Sequence, residues 1–110
     1  MEPRLAAPNP VPIVPARIVV VSSPGCHFCA DADTALTEIA SDYPLAVTHL
    51  DAEAERGAAL VRAAGAPLFP LVLVDGQVFS WGRLPRRKLR RLLGQRAARL
   101  QAQAELAEAH

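Results

Sequence analysis

The chain has 110 residues and is 51% hydrophobic, which fits one domain with a real core. Lys and Arg number 12 against 11 Asp and Glu, a net charge of +1, so bulk electrostatics give no case for nucleic acid as a partner. No run approaches the roughly 18 apolar residues that cross a bilayer, and the N-terminus lacks the layout of a secretory signal, so a cytoplasmic protein with no membrane partner is expected.

Pro3, Pro8, Pro10, Pro12 and Pro15 crowd residues 1–16. Proline removes backbone donors and fixes φ, so this stretch reads as an extended tail. The domain is expected over 17–100. Arg17 to Val21 is short, apolar and β-branched and stops at Ser22-Ser23-Pro24-Gly25, which predicts a buried strand and a turn. Phe28, Ala32, Ala35, Leu36 and Ile39 then recur at helical spacing, with Asp31, Asp33 and Glu38 on the other face. That helix should stop before Pro44. Leu45 to Leu50 predicts a second strand. Asp51 offers an N-cap for a second helix, Glu53 and Glu55 suit its first turn, and Gly65 suits its C-cap.

Pro70 to Val74 predicts a third strand, Asp75-Gly76 a tight hairpin turn, and Gln77 to Trp81 a fourth strand. Pro85 fits the first turn of a last helix, whose apolar stripe is Leu89, Leu92, Leu93, Ala97 and Leu100. Residues 101–110 are polar and alanine-rich and read as a tail or an exposed helix extension. The order is β-α-β-α-β-β-α. A helix joins the first two strands, which should be parallel with a right-handed crossover. The last two form an antiparallel hairpin. The fold class is therefore α/β, a four-stranded mixed sheet flanked by helices.

Only two cysteines occur, Cys26 and Cys29, in the run Pro24-Gly25-Cys26-His27-Phe28-Cys29. A secreted scaffold usually spreads more cysteines along the chain. A single close pair reads instead as redox chemistry or metal binding. Cys26 falls where the turn ends and the helix begins. There, unpaired N–H groups and the helix dipole favour a thiolate, so its pKa is expected to be depressed. Cys29 lies one turn further on the same face, within disulfide reach, and is expected to be the more buried thiol. Cys26 would attack a substrate disulfide, and Cys29 would then resolve the mixed disulfide.

The strand before Pro24-Gly25-Cys26, the C-x-x-C at a helix start and the run Phe69-Pro70-Leu71-Val72-Leu73-Val74-Asp75-Gly76 together carry a resemblance. From about Arg17 to Leu93 the chain resembles a glutaredoxin or small thioredoxin-like protein. The resemblance implies a thioredoxin-like fold and a dithiol–disulfide oxidoreductase. It also implies a cis peptide bond before Pro70, with that proline facing the reactive sulfur and Phe69 lining the substrate groove. The substrate is then a disulfide-containing protein or small thiol. No cofactor is bound tightly; glutathione or a reductase supplies electrons, and a monomer is expected. The chain departs from glutaredoxins in having Val21, Ser22 and Ser23 where a Lys usually stands, His27-Phe28 inside the motif, and Ser80-Trp81-Gly82-Arg83 in place of a Gly-Gly pair.

Other residues have two readings. His27 either favours the Cys26 thiolate as an imidazolium or is an exposed loop histidine. Arg83 is expected near the site, raising the positive potential at Cys26 or meeting a substrate carboxylate. Arg87, Lys88, Arg90 and Arg91 read as a solvated helix face, and Trp81 as packing. Two alternatives to the enzyme stay open. One is a metal or iron–sulfur carrier using the same thiols, although two cysteines are only half of a tetrahedral site. The other is an interaction module that retains the fold.

Overall fold

A computed structural model describes residues 14–109. Its elements are β1 (Ala16–Ser22), α1 (His27–Ala40), β2 (Leu45–Asp51), α2 (Glu55–Ala64), β3 (Leu71–Val74), β4 (Gln77–Trp81) and α3 (Arg86–Glu108). The four strands lie in the order β2-β1-β3-β4. β1 runs parallel to β2 and antiparallel to β3, and β3 runs antiparallel to β4. This is the expected element order and sheet.

β1 and β3 are central, and alternation along them splits the core in two. Ile18, Val20, Val72 and Val74 point to one face, where they pack with Ala32, Leu36 and Ile39 of α1 and Leu89 and Leu93 of α3. Val21, Leu71 and Leu73 point to the other, against Leu60 and Val61 of α2. Both central strands are covered on both faces, which is why they read as unbroken β-branched and leucine runs. No buried polar or charged residue interrupts this core among the described residues.

Local details refine the expected boundaries. Ala16, assigned by its sequence to the proline-rich tail, is the first residue of β1 and is fully buried. Residues 1–13 of that tail lie outside the described residues. Asp51 does not cap α2. It ends β2 opposite Ser22, and its carboxylate accepts the Glu53 N–H at 2.8 Å. Ala54 is the N-cap, so Glu53 stays outside the helix and Glu55 alone supplies first-turn acid. Pro85 is likewise the N-cap of α3 rather than part of its first turn. Phe28 leaves the apolar stripe of α1 and is 45% exposed, its place in the packing taken by Cys29. The C-terminal stretch continues α3 as helix to Glu108.

Candidate active site

Three loops meet at one end of the sheet, and strand register shows why. Val21 pairs with Leu71, so the loop leaving β1 and the segment arriving at β3 share that end. Leu71 also pairs with Trp81, which brings the exit of β4 to the same place. The first loop carries Cys26, the second Phe69 and Pro70, and the third Gly82 and Arg83. Residues far apart in sequence thereby converge.

Gly25 adopts φ 70°, a left-handed conformation that glycine reaches without a Cβ penalty, and it turns the chain into α1. Cys26 is the N-cap of α1, with extended backbone. The Cys29 backbone N–H donates to Cys26 Sγ at 3.2 Å. A sulfur thus occupies the place where Ser, Thr or Asp would normally satisfy an orphan N–H, and negative charge on that sulfur is stabilised by the N–H and the helix dipole. The two sulfurs are bonded to each other, with their Cα atoms 5.2 Å apart. Cys26 is half-buried, while Cys29 is only 8% exposed. One sulfur is therefore reachable and the other is packed.

The Phe69–Pro70 peptide bond is cis. Pro70 is fully buried and its carbonyl accepts the Gly82 N–H at 3.1 Å, tying the second loop to the third. Phe69 is half-buried beside it. Leu68, 54% exposed, packs over Gly82; a Cβ added there would lie 3.3 Å from Leu68 Cδ1. His27, the first residue of α1, is exposed. Trp81, expected to serve packing, is 45% exposed at the end of edge strand β4. The site end thus presents Phe28, Leu68 and Trp81 to solvent, with Cys26 half-buried and Cys29 almost fully buried.

Arg83 reaches this end but faces a carboxylate, its Nε 4.0 Å from Asp31 Oδ2. Asp31 is held more firmly by Arg86, which donates from both terminal nitrogens at 3.2 and 3.1 Å. Arg86 Nε also lies 3.6 Å from Glu38. The Asp31 hydrogen bond raises the Arg86 guanidinium above its ordinary pKa, against partial burial. This fork-on-carboxylate pair joins α1 to α3 just beyond the dithiol. Composition and periodicity place Asp31 on a polar face but do not reveal its partner, 55 residues away. No cluster of three or more His, Cys, Asp and Glu able to hold a metal occurs among the described residues.

A protein-family model described as Glutaredoxin matches residues 18–79, from β1 into β4 and including both cysteines and Pro70. No curated protein matches the chain. Solved structures do. An uncharacterized thioredoxin-like protein from Clostridium perfringens is 15% identical with a TM-score of 0.60, over 74% of this chain and 70% of that one. A mutant thioredoxin from Halobacterium salinarum is 19% identical with a TM-score of 0.53, over 73% of each chain. Mitochondrial thioredoxin 3 of Saccharomyces cerevisiae, in its oxidized form, is 14% identical with a TM-score of 0.55, over 84% of each chain. At these identities the likeness is one of fold, and the fold is thioredoxin-like.

Proposed function

The chain belongs to the glutaredoxin family, and from that premise we propose that it reduces disulfides as a dithiol oxidoreductase, with Cys26 the nucleophile and Cys29 the resolving thiol. The observation that carries the reading is the pairing of unequal sulfurs. Cys26 Sγ sits at a helix N-cap, receives an N–H and is partly exposed, while Cys29 is packed one turn below and within bonding reach.

In the reduced protein the Cys26 thiolate attacks one sulfur of the substrate disulfide. A mixed disulfide forms and the other substrate sulfur leaves as a thiolate that takes up a proton. Cys29, deprotonated, then attacks Cys26 Sγ and expels the second substrate thiol. The substrate leaves reduced and the protein carries the Cys26–Cys29 bond. The backbone around cis Pro70 and the half-buried Phe69 give the groove in which the substrate chain lies. Glutathione or a reductase returns the two electrons.

The test is reduction of a synthetic disulfide peptide, with glutathione and with a thioredoxin reductase supplied in parallel. Wild type is expected to turn over with at least one donor. Cys26→Ser should fall to background, and Cys29→Ser should accumulate a mixed disulfide through Cys26. Equal rates for wild type and Cys26→Ser would overturn the assignment.

A further inference from the structure

Residues 86–91 read Arg-Arg-Lys-Leu-Arg-Arg and open α3. Helix stability does not ask for this arrangement. The N-terminal end of a helix carries positive partial charge and disfavours cations, and like charges three or four residues apart repel. Within α3 the first acidic residue is Glu105. Ion pairs from α1 and its C-terminal end relieve only part of the load, Arg86 meeting Asp31 and Glu38, and Arg90 meeting Asp42 at 2.8 Å. Among the described residues Arg87, Lys88 and Arg91 meet no carboxylate. The Lys88 ammonium lies instead 5.3 Å from the Phe79 ring centroid.

These three cations line an open, shallow groove of about 650 Å³ together with Arg83, Arg86, Leu84 and Pro85, and no acidic residue lines it. The groove starts at the redox end of the molecule. Arg83 follows Gly82, whose N–H is bonded to the Pro70 carbonyl, and Arg83 approaches Asp31 on the helix that bears the dithiol.

We propose that this groove binds an acidic stretch of polypeptide next to the disulfide being reduced, so that the preferred substrates are protein disulfides flanked by Asp and Glu. The proposal rests on the redox reading above. A short acidic segment fits better than a long polyanion, because the net charge of the whole chain is only +1 and the positive field is local. The groove also runs on from the loops that would hold the reacting disulfide.

Pre-reduced protein is mixed, in single turnover, with two synthetic peptides. They share one disulfide loop and differ in flanks, Asp and Glu in one, Asn and Gln in the other. The acidic peptide is expected to be reduced about tenfold faster at low salt, with the ratio falling toward one at about 0.5 M salt. Arg87→Gln with Arg91→Gln should bring the ratio toward one without lowering the thermal midpoint, since it removes a repulsive pair. A ratio near one in wild type, or one untouched by the double substitution, would overturn the proposal. If neither peptide is reduced, the redox reading has failed on its own. Calorimetry with a cysteine-free acidic peptide and the oxidised protein then decides the groove. Binding that the double variant weakens supports it, and absence of binding refutes it. Tighter binding of a single-stranded oligonucleotide or of phosphatidylserine vesicles than of the acidic peptide would also refute it.

Discussion

Cys26 and Cys29 are chemically identical, so any difference in reactivity between them has to come from what surrounds each sulfur. Cys26 Sγ receives the Cys29 N–H and its residue is half-buried at the N-terminal end of α1, whereas Cys29 is almost fully buried. Thiolate character and access both favour Cys26. In the fully reduced protein, iodoacetamide at neutral pH is expected to label Cys26 at least about tenfold faster than Cys29. Mass spectrometry of the partly labelled protein measures this, and equal labelling would remove the basis for separate roles. The helix-start position of the cysteines is legible in the sequence, because Pro24-Gly25 ends a strand and an apolar period of helical spacing follows. Asp31, the Arg86 fork and the exposed Trp81 are not legible there. Each depends on a neighbour brought in by tertiary packing, and helical or strand periodicity reports only which face a residue takes.

Among the elements, α2 has the boundary that sequence reasoning places least well. Asp51 and Glu53 look like the start of a helix, but strand pairing runs on to Ser22 and Asp51 and holds that stretch in the sheet. The helix then docks through Gly57, which is buried. A Cβ there would collide with the Asp51 carbonyl, lying 2.9 Å from its carbon and 3.4 Å from Ala52 Cα. Gly94 in α3 is the contrasting case, where an added Cβ would meet only the Tyr43 hydroxyl at 3.4 Å. Replacing glycine by alanine inside a helix ordinarily gains roughly 0.5–1 kcal/mol. Overpacking against backbone costs about 1–3 kcal/mol, since the backbone cannot step aside as a side chain can. The same substitution should therefore have opposite signs. Gly94→Ala is expected to raise the thermal midpoint by a few degrees and Gly57→Ala to lower it, both read by calorimetry. A stabilised Gly57→Ala would mean that α2 is not seated as closely on the end of β2 as the structure has it. By contrast β1 and β3 were legible as strands because they are buried on both faces, and β4 because Asp75-Gly76 is a turn signal whose positive φ values, 50° and 85°, the structure adopts.

At the scale of the whole molecule, Asp75 and Arg96 add a polar fastening to three parts of the chain, the start of β1, the β3–β4 turn and α3, whose apolar side chains already share the larger core cluster. Arg96 of α3 donates through Nε to Asp75 Oδ2 at 2.8 Å in the β3–β4 turn. Its terminal nitrogens donate to the carbonyls of Val14 and Pro15, at 2.6 and 3.2 Å, where the chain enters β1. Asp75 closes the ring by accepting the Arg17 N–H at 3.0 Å, while its own N–H donates to the Arg17 carbonyl at 2.8 Å. Partial burial by itself would raise the Asp75 carboxyl, but the Arg17 N–H and the Arg96 guanidinium outweigh it and hold the pKa below its ordinary value. A carboxylate depressed by folding stabilises the native state at pH values above its unfolded pKa, near 4. That contribution is lost as pH falls from there through the lower folded value. Asp75→Asn keeps a residue that tolerates positive φ and can still accept the Arg17 N–H, but removes the charge. Discounted for the solvent that reaches the pair, the variant is expected to be less stable than wild type by about 1 kcal/mol at pH 7. The gap should narrow as pH falls below about 4 and close once wild-type Asp75 is neutral in the folded state as well. Urea midpoints of the two proteins measured across that range test it, because every other carboxylate titrates in both and cancels in the difference. A gap that stayed constant from pH 7 to pH 3 would show that Asp75 acts through shape or turn conformation, and that charge does not hold the β1 start, the hairpin and α3 together.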